Sequence, residues 1–419
     1  MKVYKFGGAS VRSAEGIRNI ARIVSVEKEP LFIVISAMGK TTNAFEKVLE
    51  HFMKTEKSEA LIKLSEIEMY HQLISMELFK GIDSGKIVLE KIFNEIQELI
   101  AGGVGDDYDK WYDRLVSYGE ILSTTLISKY LINSGIDNSW LDMRKLLVTD
   151  SNFREANVRM DESQKRLLQA CDFEKHPIYI GQGFIGANFK GDPTTLGREG
   201  SDYTAAVVGN LLETTSVTIW KDVPGILNAD PRIFENTVLI PELTYLDAVE
   251  LAFSGAQIIH PKTIKPLENK KIPLFVRPFN EPENKGSVIQ AETKNPIQVP
   301  ILILRKNQVL ITMRPRDFSF VLEESLSKAF MMMNKHRLKI SMIQSSAVSI
   351  SVCVDQSRYL ADALDELSND FKISYNENLE LLNIRGINPE IEQSSIRNRL
   401  ILLQQRTRKT GRFLMKVQE

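Results

Sequence analysis

A lysine and two glycines close the first apolar run of the sequence. Val3 to Phe6 is typical of a β-strand, and Lys5 lies near its carboxyl end, followed by Gly7 and Gly8. Glycines lack a Cβ atom, so their backbone N–H groups can approach phosphate oxygens closely, and the start of a following helix favours anions. The lysine precedes the glycines, so this is not a Walker A loop. The segment is a candidate phosphate cradle, although two glycines after a strand are by themselves more often a tight turn.

A second polar segment follows the buried strand predicted for Leu31 to Ile35. It runs from Ser36 to Asn43, reads SAMGKTTN, and includes Thr42. Small and hydroxylated residues at the carboxyl end of a strand line the crevice in which α/β sheets bind ligands. The alternative is a Ser/Thr/Asn cap on the next helix, and the sequence alone leaves both interpretations open.

The densest group of reactive side chains lies between Thr194 and Ala206. Hydroxyl groups, Arg198, Ser201 and Asp202 occupy one turn before an apolar helix. Arginine suits the bidentate capture of a carboxylate. The aspartate either caps the helix or orients a lysine across a cleft. This density of polar groups favours a functional site over an ordinary loop.

A charged loop braced by proline and glycine follows another predicted strand. Residues 220–232 carry Lys221, Asp222, Asp230 and Arg232, which suit the sugar and phosphates of a nucleotide. A structural turn with solvated charges is the alternative, and the two weigh about equally. Both interpretations stay open at this point.

Two shorter segments complete the set, each weak by itself. The first is SYGE at 117–120, which ends in Glu120, and the second is GAQIIHP at 255–261. The single His260 in the second segment is more often a structural histidine than a catalytic base.

The elements that must position these side chains alternate in type over the first two-thirds of the chain. Further strands are predicted at 178–180, 216–220 and 273–277, with helix-like stretches between them. This rhythm predicts a mostly parallel sheet covered by helices on both faces. Residues 44–100 are instead charged, periodic in Leu and Ile and nearly free of Gly and Pro, which predicts a helical insertion.

The C-terminal third has a different order of elements. After a linker at 295–300, the pattern predicts strands and helices in the order strand 309–313, helix 319–335, strands 338–344 and 347–354, helix 357–368 and strand 370–375. A hairpin between two helices is the order of a small ferredoxin-like α+β domain. Runs at 379–385 and 412–417 predict strands of a shortened second copy.

Composition narrows the class of protein. A chain of 419 residues with 43% hydrophobic and 26% charged residues predicts two or three well-solvated domains. The net charge of −1 gives no electrostatic case for nucleic acid or a membrane surface as a partner. Cys171 and Cys353 form no disulfide framework, and no apolar run reaches the ~18 residues of a membrane span. We therefore expect a cytoplasmic protein.

Taken together, these segments resemble the aspartate kinase family over nearly the whole chain. The motifs, in chain order, are KFGGASV, SAMGKTTN, GE at 120, GREGSDYTAA, WKDVPG followed by ADPR, and GA followed by HP. GREGSDYTAA with the WKDVPG loop is highly specific, and the style of the motifs looks most like the monofunctional enzymes of the Bacteroidetes-type group. The resemblance implies an amino-acid-kinase-type catalytic domain at 1–295 with a helical insertion at 44–115. It also implies an ACT-type regulatory domain at 301–376 and a shortened second ACT-like unit at 377–419.

The resemblance also implies a role for each matching residue. Those that would act on the phosphoryl group are Lys5, Gly7, Gly8 and Asp202, with Asp202 orienting the lysine. Those that would hold L-aspartate are Thr42, Glu120 at its ammonium, Arg198 at its α-carboxylate, and Ser201. Those that would contact ATP are Lys221, Asp222, Leu227, Asp230, Arg232 and Gln257. Mg²⁺ would be carried on the ATP phosphates without a protein ligand, and a homodimer or higher homo-oligomer is implied.

Several positions depart from the pattern of the family. Ala9 replaces a common threonine, Gln257 a common lysine, and Leu227 a frequent aromatic residue beside the base. In the regulatory region, RDFSF at 316–320 lacks the usual glycine and QSSA at 344–347 lacks a common acidic residue. Lysine or threonine at the ACT-type region is the implied effector. These departures leave lysine inhibition open, and a dimerisation module without ligand is the alternative for residues 300–419.

Other functions compete with this interpretation. Relatives of the same fold act on glutamate, N-acetylglutamate, carbamate or a nucleotide, and the arginine of GREGSDYTAA disfavours them. A catalytically impaired amino-acid sensor is the alternative from a different class, and the retained charged residues argue against it. A fusion with homoserine dehydrogenase is not expected, because no dinucleotide-binding domain follows residue 419.

Overall fold

The chain divides into two compact units. In a computed structural model, residues 1–79, 84–256, 259–294, 297–316 and 323–417 are described. The first unit comprises residues 1–226, 239–252 and 257–296. The second comprises residues 297–419 together with two short segments, 227–238 and 253–256. Two segments from the middle of the sequence therefore belong with the C-terminal region. A single boundary near residue 295, as predicted from the sequence, does not include them in that region.

The first unit is built from short strands and longer helices. Its strands are β1 (Lys2–Phe6), β2 (Leu31–Ile35), β3 (Ser139–Leu141), β4 (Val148–Thr149), β5 (Ile178–Gln182), β6 (Ile185–Asn188), β7 (Pro193–Thr195), β8 (Ser216–Lys221), β9 (Glu242–Thr244), β10 (Leu274–Pro278) and β11 (Ser287–Gln290). Its helices are α1 (Ala14–Ser25), α2 (Thr41–Met53), α3 (Lys57–Phe79), α4 (Ser84–Ala101), α5 (Tyr108–Asn133), α6 (Met143–Leu146), α7 (Met160–Ala170), α8 (Gly200–Leu211), α9 (Tyr245–Phe253) and α10 (Pro261–Lys270).

The main sheet of this unit is mostly parallel. In the described part of the chain it has eight strands in the order β3-β5-β2-β1-β8-β10-β11-β9, and the first six are parallel to one another. Every residue of β2, whose sequence is LFIVI, is buried. A strand buried on both faces has a continuous apolar run, which is why the sequence identified this strand so clearly. β1 and β8 are neighbours, so the polar residues that follow them meet at one edge.

Local sequence sets the helices around this sheet. Ser13 caps α1 by accepting a hydrogen bond from the N–H of Gly16, and its buried residues recur at helical spacing. The predicted helical insertion corresponds to α2, α3 and α4, and its predicted end at residue 115 falls inside α5. Because α5 is 26 residues long, it carries side chains from the insertion to the edge of the sheet. A second, smaller sheet lies beside α5 and has the strand order β4-β6-β7.

The second unit contains an antiparallel sheet. Its elements are β12 (Ile301–Pro315), α11 (Glu323–Lys335), β13 (Ile340–Ser345), β14 (Ile350–Asp355), α12 (Leu360–Leu367), β15 (Phe371–Arg385), α13 (Pro389–Ile396), β16 (Ile401–Arg406) and β17 (Thr410–Lys416). The strand order is β13-β14-β12-β15-β17-β16, and the first four strands with α11 and α12 form the ferredoxin-like order. This confirms the predicted fold class of both regions. The two strands predicted at 370–375 and 379–385 are one strand, β15.

The two long strands, β12 and β15, pair with each other, and each also pairs with one further strand. In the described part of the chain, β12 pairs with β15 along most of its length, and residues 308–313 of β12 pair also with β14. β15 then continues to pair with β17. Within the described residues, no helix is both long and apolar enough to cross a bilayer.

Candidate active site

The lysine before the glycine turn is paired with an aspartate from another element. Lys5 lies in β1, and its Nζ is 2.6 Å from Oδ1 of Asp202 in the first turn of α8. Lys221, at the end of the neighbouring strand β8, has its Nζ 3.5 Å from the other carboxylate oxygen. Burial by itself would raise the pKa of Asp202, but the two ammonium groups outweigh it and hold that pKa below its ordinary value. An ionised aspartate therefore fixes two cations at the carboxyl edge of the sheet.

The glycine turn packs tightly against the loop after β2. The N–H of Gly39 donates to the carbonyl of Gly8 at 3.0 Å. A Cβ atom at Gly8 would lie 2.8 Å from the carbonyl oxygen of Ala37 and 3.0 Å from that of Gly39, so only glycine fits there. Within the described residues, the N–H groups of Gly8 and Ala9 donate to no protein acceptor. These N–H groups suit an anion held next to Lys5.

The start of helix α8 forms a second set of donors. Glu199 precedes the helix in a left-handed conformation with φ of 53°, and Ser201 lies in the first turn. The carboxylate of Glu199 accepts a hydrogen bond of 2.8 Å from the N–H of His260. Lys262 donates to the carbonyl of Leu196 at 3.2 Å. The start of α10 thus braces the turn from which α8 begins. The N-terminus of α8, which favours anions, lines the cavity described below.

A buried carboxyl group lines the same cavity. Glu120, on α5, is 3% exposed, and its Oε1 accepts a hydrogen bond of 3.2 Å from the N–H of Ala37. Its Oε2 is buried without a partner among the described residues. Burial raises the pKa of Glu120 to about 8, although the Ala37 N–H and the charge of Lys5 oppose that change. A carboxyl group in this state is suited to receive a cationic group from a ligand.

These groups surround one cavity of about 270 Å³. Its lining residues are Lys5, Gly8, Ser36, Ala37, Gly39, Thr42, Glu120, Phe184, Gly197, Glu199, Gly200, Ser201 and Asp202. The lining offers a lysine, glycine N–H groups and a helix N-terminus, which favour anions. It also includes Glu120, whose unpartnered oxygen can accept from a cationic group once the carboxyl is ionised. The cavity can therefore hold a small zwitterion with one anionic group turned toward Lys5.

The structure brings together several of the residues predicted from sequence. Those that line the cavity are Lys5, Gly8, Thr42, Glu120, Ser201 and Asp202. Gly7 adjoins it, because a Cβ atom there would lie 3.3 Å from Nζ of Lys5. Arg198 is exposed in the turn before α8 and is not among the lining residues. Its predicted contact with a carboxylate stays a prediction.

The predicted nucleotide residues are distributed differently. Asp222 lines a separate cavity of about 650 Å³ beside α1. Leu227, Asp230 and Arg232 belong to the second unit, where the guanidinium of Arg232 bonds both carboxylate oxygens of Asp230. Gln257 lies outside the described residues. Their roles stay predictions.

Glu199 and Phe184 are among the lining residues that the sequence did not single out. Glu199 stands inside the motif GREGSD, so its position was visible, but its left-handed backbone and its bond to His260 were not. Phe184 follows β5 and also has a positive φ of 70°. His260 caps α10 by accepting from the N–H of Lys262 at 3.2 Å, which is a structural contact.

The fold and the site define a phosphotransferase of the amino acid kinase class. The model of the amino acid kinase family matches residues 1–278. Lysine-sensitive aspartokinase 3 of Escherichia coli is 31% identical over 354 residues, which cover 84% of this chain and 78% of that protein. The chain belongs to the aspartokinases of this family.

Solved structures agree with this assignment. The structure of E. coli aspartokinase III in complex with aspartate and ADP, in the R-state, matches with a TM-score of 0.85 and 29% identity. The match covers 99% of this chain and 96% of that one. The complex of the same enzyme with lysine and aspartate, in the T-state, matches with a TM-score of 0.81, 29% identity and coverage of 99% and 95%.

Proposed function

We propose that this chain transfers the γ-phosphoryl group of ATP to the β-carboxylate of L-aspartate. The product would be 4-phospho-L-aspartate, formed in the cytoplasm as the first step toward lysine, threonine and methionine. The observation that carries this proposal is the Lys5–Asp202 pair beside a cavity that also holds the free oxygen of Glu120. The similar E. coli enzyme has been solved with aspartate and ADP, which supports both substrates.

The chemistry needs electrostatic help more than a base. The nucleophile is already a carboxylate, and it must approach a polyphosphate of the same sign. Two unit charges at 4 Å repel by about 4 kcal/mol at an effective dielectric constant of 20. Lys5 and the N–H groups of Gly8 and Ala9 would offset this repulsion and hold the reacting oxygen in line. Gly7 would allow the backbone to approach the phosphoryl group.

The amino-acid substrate would be held at both ends. Glu120 would accept the α-ammonium group, and the cation would lower the pKa that burial has raised. Arg198 would bind the α-carboxylate from its turn. Ser201 and Thr42 would donate hydroxyl hydrogen bonds, since both line the cavity. The β-carboxylate would then face Lys5.

The nucleotide would lie on the side of Lys221. We assign its contacts to Lys221, Asp222, Leu227, Asp230, Arg232 and Gln257. Within the described residues no three His, Cys, Asp or Glu side chains converge as a metal site. Mg²⁺ would be held by phosphate oxygens and water, which is its usual mode, and this ion would supply charge neutralisation.

An amino-acid effector and self-association complete the proposal. The E. coli relative has been solved with lysine in its T-state, and this chain shares its fold at 29% identity. We assign lysine or threonine binding to the ACT-type sheet of residues 301–376, with 377–419 as a shortened second unit. A homodimer or higher homo-oligomer would be formed through this region.

The decisive experiment is a coupled ADP-release assay with aspartate, glutamate, N-acetylglutamate and carbamate as acceptors. Turnover is expected with aspartate, and turnover with glutamate alone would overturn the substrate. Lys5→Ala is expected to lower kcat by about 10³-fold, because the main cation at the reacting oxygen is lost. Lys2→Ala is the control, since Lys2 lies on the same strand and makes only partly exposed ion pairs. Near-native turnover by Lys5→Ala would disprove the role of Lys5 without touching the family assignment.

A further inference from the structure

A second buried carboxylate lies on the helix that carries Glu120. Asp113 of α5 is fully buried and lines neither of the two cavities. Its Oδ2 accepts from the N–H of Arg154 at 2.9 Å and from the N–H of Thr195 at 2.8 Å. Its Oδ1 accepts from the hydroxyl of Thr195 at 2.6 Å. One carboxylate therefore joins α5 to a strand and to a loop at once.

Both partners lead directly into the turn that begins α8. Thr195 is the last residue of β7, and Leu196 to Ser201 follow it along the chain. Gly197, in this turn, has φ of +78°, and a Cβ atom there would lie 3.2 Å from the carbonyl oxygen of Arg154. The turn is thus packed on the same loop that Asp113 holds.

Helix α5 makes further contacts with the loop that contains Arg154. The guanidinium of Arg154 lies 4.4 Å from the ring centroid of Tyr112 and pairs with Asp109 at 3.3 Å. Arg154 itself has a left-handed backbone with φ of 69°. Asp113 and Glu120 are seven residues apart, which is about two helical turns and places them on the same face. The helix that presents Glu120 therefore also holds the strand and the loop on which the cavity-lining turn is packed.

We propose that Asp113 is a positioning residue for the amino-acid substrate, which sets the separation between Glu120 and the Leu196–Ser201 turn. The proposal rests on the function proposed above, because these are the two groups assigned to the ends of the substrate. A change in their separation alters how well an α-amino acid is held at both ends. It leaves the nucleotide contacts, which were assigned to other segments, unchanged.

The choice of a carboxylate has a physical reason. Three donors point at this position, and an ionised carboxylate has only acceptor oxygens to offer. Burial raises the pKa of Asp113 to about 6, against the effect of the Thr195 and Arg154 donors. An apolar side chain would leave buried N–H groups unpaired, which is costly. Asparagine would keep the arrangement, because its oxygen can replace Oδ2 and its amide can donate to the hydroxyl of Thr195.

The experiment compares Asp113→Ala, Asp113→Asn and Ser128→Ala in the full-length chain. Ser128 is a buried residue of the same helix that bonds Asn138 at 2.7 Å and lines neither cavity, so it controls for general loss of stability. Initial rates are measured with each substrate varied in turn. For Asp113→Ala we expect KM for aspartate to rise about tenfold or more, with KM for ATP changed less than about twofold. Asp113→Asn is expected to have a KM for aspartate within about threefold of that of the unmodified chain.

Each outcome bears on the inference in a defined way. Equal changes in both KM values, or a KM for aspartate no higher than that of Ser128→Ala, would overturn it. If Asp113→Ala does not fold, Thr195→Val removes only the bond to Oδ1, and a selective rise in KM for aspartate is still required. Turnover by the unmodified chain tests the proposed function separately. If another amino acid proves to be the substrate, the same comparison is made with its KM.

Discussion

At Glu120, burial raises the pKa of the carboxyl group, whereas nearby positive charge lowers it. Its carboxyl group is buried, accepts one hydrogen bond, and keeps one oxygen without a partner among the described residues. Its pKa is raised from an ordinary value of 4.5 to about 8. Without ligand the group is therefore mostly protonated at neutral pH. A substrate ammonium would draw the proton off, so binding and ionisation are linked.

This linkage predicts a pH-dependent cost in stability that a neutral amide removes. In the unfolded chain the carboxyl loses its proton near pH 4.5, and in the folded chain near pH 8. Below pH 4.5 the carboxyl group is protonated in both states, so its burial costs no ionisation free energy. As the pH rises from 4.5 to 8, the free energy of unfolding falls. We expect Glu120→Gln to gain stability over the unmodified chain between pH 5 and 9, by a few kcal/mol at the upper end. The measurement is the ligand-free Tm of both proteins at several pH values.

Glu46→Gln provides the control for this prediction. Glu46 accepts from the hydroxyl of Tyr112 at 2.9 Å outside the cavity, so its variant should keep the slope of the unmodified chain. Glu120→Gln should at the same time lose affinity for aspartate. Parallel Tm curves for Glu120→Gln and the unmodified chain would show that the buried carboxyl is not protonated as described.

The site residues differ in how far sequence could predict them. Lys5 and Asp202 stand about 200 positions apart, one at the end of β1 and the other in the first turn of α8, and the resemblance to the family had already paired them. Glu199 could not be predicted, because its role depends on a left-handed backbone and on a bond to His260. Asp113 could not be either, since its three donors come from β7 and a loop distant in sequence.

At the scale of elements, continuous or periodic apolar patterns predicted well and short irregular strands did not. LFIVI defined β2 to the residue, because both faces of that strand are buried. β4, with two residues, offers too little sequence to form a pattern, and it is defined by pairing with β6. The break expected between 375 and 379 is absent because β15 continues past a bulge opposite β12. Pairing partners, which sequence does not reveal, decided these cases.

Helix α3, in the helical insertion, contains a buried histidine. His71 is fully buried, and its Nδ1 bonds the carbonyl of Ile67 at 2.8 Å. Its Nε2 has no partner within the described residues, and its ring lies 6.2 Å from that of Phe93 on α4. Burial lowers the pKa of His71 from 6.5 to about 4, against the effect of the Ile67 carbonyl.

A depressed histidine pKa predicts loss of stability on acidification. His71 binds a proton near pH 4 in the folded chain and near pH 6.5 in the unfolded chain. The full contribution of neutral His71 to the free energy of unfolding is therefore present above pH 6.5 and is lost as the pH falls toward 4. His71→Phe keeps an aromatic ring at this position but removes the titrating nitrogens. We expect it to reduce the fall in stability between pH 7 and 4.5 by on the order of 2 kcal/mol. Urea unfolding at several pH values measures this difference.

The control at this position is His176→Gln, at a partly exposed histidine that pairs with Asp137 at 3.1 Å. Its variant should show the same acid slope as the unmodified chain. Activity of His71→Phe at pH 8 should be unchanged, because His71 lies outside the cavity lining. An acid slope in His71→Phe equal to that of the unmodified chain would mean that His71 does not titrate on unfolding.

At the scale of the whole molecule, the order of the sequence and the division into units do not coincide. Residues 227–238 lie between β8 and β9 in the chain but belong with the C-terminal sheet. The carbonyl of Asn228 accepts from the N–H of Leu302 at 2.8 Å, and its side-chain amide donates to the carbonyl of Pro300 at 2.9 Å. Phe234 packs on the cluster of Leu382 and Phe413. The C-terminal unit thus fixes the segment to which nucleotide contacts are assigned.

Asn228 is the residue on which this coupling can be tested. Its side-chain oxygen also accepts from the N–H of Val238 at 2.7 Å, so one amide closes the segment and ties it to Pro300. Asn228→Ala removes both bonds and leaves buried groups unpaired. Because Leu227, Asp230 and Arg232 are carried on this segment, we expect KM for ATP to rise by about tenfold and KM for aspartate by less than about twofold. Initial rates with ATP varied at saturating aspartate measure the effect.

Gln308→Ala separates this effect from a general weakening of the second unit. Gln308 is also a buried amide of that unit, but it bonds Asp355 at 2.6 Å and the carbonyl of Lys306 at 3.0 Å. Its variant should lower the Tm without a selective change in KM for ATP. If Asn228→Ala and Gln308→Ala alter KM for ATP equally, the segment does not contribute nucleotide contacts through its attachment to the C-terminal unit. A selective effect of Asn228→Ala would establish that this attachment is needed for ATP binding, because only that variant frees the segment.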